Sequence, residues 1–112
     1  MFDSEGKVLR DIGMQQAVDH AERVEPGWKE SAYRYLENFL TYAGRYGIKS
    51  FMAEDIRAWA HQNGLNRPPH NRAWGSVIMK AAKRGLIVKI GIGQVKNPAA
   101  HSANAAIWRR AA

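Results

Sequence analysis

Between Arg72 and Arg84 the chain sets polar and cationic side chains at helical spacing. At 100° per residue, Arg72, Ser76, Met79 and Lys83 gather on one side of a helix, flanked by Gly75 and Lys80. Trp74, Val77, Ile78, Ala81 and Ala82 gather on the other. The polar stripe has the chemistry to hold a polyanion. A guanidinium at Arg72 can pair with a guanine edge through two hydrogen bonds, and a hydroxyl at Ser76 can bond to a base or a phosphate. Gly75 would let a backbone approach closely. Lys80 and Lys83 lie later on the helix, at the height of phosphates. Met79 can touch a thymine methyl or mark a protein interface. A basic solvated helix face is also common on proteins that bind nothing, so the surroundings of this stripe decide its meaning.

Those surroundings are basic. Residues 1–50 hold 7 Lys/Arg against 8 Asp/Glu, whereas residues 51–112 hold 10 against 2. Cationic charge confined to one half is an electrostatic footprint for a polyanion. Downstream of the helix, Lys89, Gln94, Lys96, Asn97, His101, Ser102 and Asn104 supply donors, with Arg109 and Arg110 just beyond. They suit phosphates or a minor groove, although a polar tip is the ordinary composition of any exposed loop.

The elements that must position these residues are legible from spacing. Residues 1–10 are expected to be loosely held, and Asp11 to cap a first helix whose face is Met14, Ala17, Val18, Ala21 and Val24. Glu25-Pro26-Gly27 stops it. A second helix starts near Pro26 or Trp28, with an apolar stripe of Trp28, Ala32, Tyr35, Leu36, Phe39, Leu40 and Ala43, and Gly44 and Gly47 close it. Ile48 to Phe51 suits a small edge strand. A third helix, Ala53 to Gln62, buries Ile56, Trp59 and Ala60 and carries Glu54 and Asp55 in its first turn, where carboxylates favour the helix dipole. Met52 stands where a Ser or Thr cap is usual, so either Ser50 serves or the cap is absent. A turn-rich connection, Asn63 to Asn71, leads to a fourth helix from Pro69 or Asn71 to Arg84, capped by Gly85. Leu86 to Ile92 and Ala105 to Arg109 read as a hairpin, with Trp108 closing it over the helices.

Strand, helix, turn, helix and basic hairpin in that order, from Ile48 to Arg110, resemble the winged helix-turn-helix. The resemblance spans Trp28 to Trp108 and rests on pattern. It implies a mainly α fold with a small antiparallel β-hairpin, and double-stranded DNA in contact with the fourth helix and the wing. The connection exceeds the three to four residues of a strict helix-turn-helix. Arg72-Ala73-Trp74-Gly75 and Ala81-Ala82-Lys83-Arg84-Gly85-Leu86-Ile87 are also similar to small phage and prophage proteins, which implies an accessory role in replication, recombination or transcription.

Other chemistries find little support. A chain of 112 residues, 46% hydrophobic and 24% charged, suits one modest folded domain. The expected division is a helical extension over 11–25 and a winged-helix core over 26–110. The sequence has no cysteine, which removes disulfides, thiolate zinc sites and cysteine nucleophiles and fits a reducing cytoplasm. Asp3 and Glu5 oppose a signal peptide, and no apolar run approaches the ~20 residues that span a bilayer. The four histidines, at 20, 61, 70 and 101, lack ligand spacing, and Asp19, His20, Glu22 and Glu25 read as a surface patch rather than a metal cluster. Ser76 lacks a nucleophile elbow, and Gly91-x-Gly93 lacks the rest of a phosphate loop. No enzyme, metal or cofactor is expected. Trp28, Trp59 and Trp74 fall on apolar faces and read as core rather than as base-stacking platforms. A homodimer on a palindromic site fits such a fold, with the first helix completing the core or pairing with a second copy. The rival reading is an adaptor that uses the same surface to hold an acidic protein of a replication or transcription complex.

Overall fold

The computed structural model describes residues 3–95 and 104–111, with side chains from Val8 onward. It comprises four helices, α1 (Asp3–Val24), α2 (Trp28–Arg45), α3 (Ala53–Gln62) and α4 (Ala73–Lys83), followed by an antiparallel hairpin of β1 (Ile87–Gln94) and β2 (Asn104–Arg110). No described helix is long and apolar enough to cross a membrane.

The strongest periodic stripe becomes the central helix. Trp28, Ala32, Leu36, Phe39, Leu40 and Ala43 of α2 are all buried, as 3.6-residue spacing requires. Tyr33 is buried with them, while the expected Tyr35 is only half-buried and sends its hydroxyl to the Asn63 carbonyl at 3.2 Å. Around α2 sit Ile56 and Ala60 of α3, Trp74, Val77, Ile78 and Ala81 of α4, and Ile87 and Trp108 of the hairpin. Trp59 packs against this core half-buried, its ring 6.0 Å from that of Phe39. Ala17, Val18 and Ala21 bring α1 into the same core.

Helix α1 departs from expectation at both ends. It begins at Asp3 and runs through Asp11, so Asp11 is not its cap. Between them only Gly6 opposes a helix, at about 1 kcal/mol, and no proline intervenes. At the other end Val24 is 64% exposed, because the chain turns at Glu25 toward α2. The carboxylate of Glu22 then accepts the Lys29 amide at 3.1 Å, supplying a first-turn N–H of α2 with an acceptor that Gly27 cannot offer.

The strand expected over Ile48–Phe51 contracts to one bridge. Phe51 and Trp108 exchange N–H···O bonds of 2.9 and 2.8 Å. The ladder stops there because the next residue, Met52, is already the N-cap of α3. Ser50 is not the cap. Asp55 acts instead, accepting the Met52 amide at 2.8 Å, which is one half of a capping box.

The connection to α4 is pinned from three sides. Trp28 Nε1 donates to the Asn66 carbonyl at 3.0 Å, Asn66 donates to Glu25 at 2.7 Å, and Leu65 is buried. Helix α4 starts at Ala73, later than expected, since Ala73, Trp74 and Gly75 first bond to carbonyls three residues back. Such a tight lead-in satisfies part of the otherwise orphaned first turn. His70 Nδ1 accepts the Arg72 amide at 3.0 Å and holds this entry. Gly85, at φ 74°, ends the helix as expected. Within the hairpin, Lys89 pairs with Trp108 but Gly91 with Ile107, leaving Ile90 as the extra residue of a bulge.

Candidate nucleic-acid interface

Helix α4 does turn its apolar face inward. Trp74, Val77, Ile78 and Ala81 are buried, while Arg72, Met79 and Lys83 are exposed and Ser76 and Lys80 half-buried. The inner face is locked at Trp74. Its Nε1 donates to His61 Nε2 at 3.2 Å, so His61 carries its proton on Nδ1 and donates it to the Leu65 carbonyl at 2.9 Å. The Trp28 ring meets Trp74 edge-on, with centroids 5.6 Å apart.

The outer face is not open along its length, because α1 crosses it. A Cβ on Gly75 would collide with the sulfur of Met14, so the missing side chain makes room for α1 rather than for a nucleic-acid backbone. Arg72 reaches toward the same helix, its guanidinium 3.5 Å from where a Cβ of Gly13 would stand. The single stripe read from the sequence is thus divided into two sides by a ridge.

On one side the cations converge. A cleft of about 520 Å³ is bordered by Lys80 and Lys83 of α4, Arg84 beyond its end, Lys29 of α2 and Arg10 of α1, with Ser76 and Met79 between. Asp11 is its sole carboxylate among the described residues. The Lys80 ammonium lies 4.5 Å from the centre of the Tyr33 ring and the Arg84 guanidinium 5.4 Å, so one buried aromatic orients two cations. Lys29, Arg10 and Arg84 escaped the sequence reading. Lys29 and Arg10 belong to other helices, and in the sequence Arg84 reads as the end of α4 rather than as part of its surface.

On the other side Arg72 and Lys89 face a wider groove together with Arg57 and His70. Burial pushes the Arg57 guanidinium below its ordinary value, partly offset by the charges of Glu54 and Asp55. The tip residues Lys96, Asn97 and His101 lie outside the described residues. Arg110 is committed elsewhere, since it donates to the Leu40 carbonyl at 3.4 Å and lies against Gly44, near the C-terminal end of α2. The acids near His20 are each bonded within the fold, Asp19 to Gln15, Glu22 to the Lys29 amide and Glu25 to Asn66. No protein-family model, curated protein or solved structure matches the chain.

Proposed function

We propose that this protein binds double-stranded DNA through the cationic side of α4, as a winged-helix protein with an added N-terminal helix. One observation carries the reading: Lys29, Lys80, Lys83, Arg84 and Arg10, from three segments distant in sequence, border one cleft against a single carboxylate among the described residues. Cations held this close repel one another, a row of phosphates neutralises that repulsion, and release of the condensed counterions favours binding further. The order of elements supports the fold assignment. The Phe51–Trp108 bridge stands where the first strand of a winged helix meets its hairpin, and β1 and β2 pair antiparallel as such a hairpin would. Arg72, exposed at the start of α4 but across α1 from the cleft, is the cation of this helix left to reach a base edge while the cleft holds the backbone. An accessory role in phage or prophage replication, recombination or transcription fits a small DNA-binding protein of this kind.

The reading is tested by mobility shift with random duplex, single strand and genomic fragments over a series of salt concentrations. With about five phosphates neutralised, log affinity should fall against log salt with a slope near −4.5. A flat salt dependence, or no shift at low salt with micromolar protein, refutes it.

A further inference from the structure

Across the α1 ridge from the cationic cleft lies a groove of about 970 Å³ with a different character. Its floor is aliphatic, built from Leu9 and Met14 of α1, Ile78 and Met79 of α4, and Ala105 and Ala106 of β2. Leu9 is 66% exposed and Met79 42%, large apolar surface left open to solvent. Four cations stand round it, Arg10, Arg57, Arg72 and Lys89, and no carboxylate lines it among the described residues. Arg10 lies 3.9 Å from Asp11, and Arg57 feels Glu54 and Asp55. Arg72 and Lys89 have no salt bridge among the described residues.

We propose that this groove docks an acidic amphipathic helix of a partner protein. Apolar residues at i, i+3, i+4 and i+7 of such a helix fill an aliphatic floor, and carboxylates on its flanks meet Arg72 and Lys89. Methionines at 14 and 79 give the floor a surface that adapts to the shape of its guest. A single-stranded nucleic acid fits less well. Its bases need open aromatic faces, and the two tryptophans that border the groove, Trp74 and Trp108, are only 1% and 9% exposed. A second copy of this chain fits less well, because its most acidic helix, α1, carries Arg10 beside Asp11 and would bring a cation to a cationic rim. Leu9, Arg57 and Ile78 belong to this groove and not to the cleft, whereas Arg10, Met14 and Met79 border both and Arg72 is shared with the DNA reading, so the two readings are separated at Leu9 and Lys83.

The probe is a fluorescein-labelled helical peptide of about 15 residues, ~22 Å long, with leucines on one face and glutamates on both flanks. It is titrated with the full chain and followed by anisotropy. Two further peptides replace every glutamate by lysine, or every leucine by serine. The leucine–glutamate peptide should bind, and each replacement should weaken binding by about tenfold or more. Leu9→Ser should weaken it to a similar degree while leaving the affinity for duplex DNA unchanged, and Lys83→Gln should do the reverse. Both substituted side chains are exposed, and matching thermal melts establish that the variants fold. Binding as tight by the serine peptide, or indifference to Leu9→Ser, would reduce the groove to plain charge attraction and overturn the proposal. So would a labelled oligothymidylate that Leu9→Ser releases, or no peptide binding at ~100 µM protein. Loss of duplex binding alone counts only against the DNA reading.

Discussion

Met14 of α1 occupies the space where a side chain on Gly75 of α4 would stand. Helix propensity alone favours alanine over glycine by about 1 kcal/mol, so Gly75→Ala would be stabilising on an open helix face. Here the added carbon meets the Met14 sulfur and stands 3.2 Å from its Cγ. We expect Gly75→Leu to lower stability by about 1–3 kcal/mol, the usual cost of overpacking. Combined with Met14→Ala, Gly75→Ala should lose less than the two single changes summed. Additive melting temperatures would show that α1 does not rest there.

Trp74 holds the inner face of the same helix through packing and through His61. Trp74→Ala should cost roughly 3–5 kcal/mol, a large part of the stability of a small domain. Trp74→Phe keeps much of the ring and loses the donor to His61 Nε2, so about 0.5–1.5 kcal/mol should go. Urea unfolding of both variants separates the two contributions. An alanine variant with wild-type stability would contradict the burial of Trp74.

Arg72 and Lys83 stand at opposite ends of α4 and on opposite sides of the α1 ridge. Arg72→Ala should cost ~1–3 kcal/mol on a preferred duplex and blur sequence preference. Lys83→Ala should weaken all duplexes alike and reduce the salt slope by about one. Both residues are exposed, so neither change should lower the melting temperature appreciably. Equal, sequence-independent losses would make the helix a phosphate clamp alone. No loss at either position would remove α4 from the interface.

Arg110 gives the contrasting case of an exposed basic residue engaged by the backbone of α2. Its guanidinium lies near the C-terminal end of α2, where the helix dipole favours a cation. Arg110→Gln should lower stability by about 0.3–1 kcal/mol and leave duplex affinity intact. A binding defect without a stability defect would return Arg110 to the interface.

All four helices and the hairpin were legible, α1 only in its downstream turns, because their apolar residues repeat at 3.6 or are β-branched in a short run between glycines. Trp28 to Ala43 is the plainest instance. Spacing could not reveal the upstream turns of α1, since Val8, Leu9 and Ile12 face away from the core and offer no inward stripe. The residues of the outer face of α4 were legible, but not what crosses it. The contact of Met14 with Gly75 joins positions far apart in sequence, and a glycine on a polar stripe reads equally as room for a ligand or for another helix. Lys29 and Arg10 were missed for the same reason. Each looks like an ordinary surface cation until α1, α2 and α4 are brought together.

The Phe51–Trp108 bridge makes the order of assembly uneven. The helices form from neighbours in sequence and can appear within microseconds, whereas this pairing must close about half the chain into one loop. The entropy of that closure is lost before Trp108 can cover the core, so docking of β2 is expected to follow formation of the helices. During synthesis Phe51 therefore remains without its partner until residue 108 has left the ribosome, and the apolar side of α3 stays open to unwanted company for that interval.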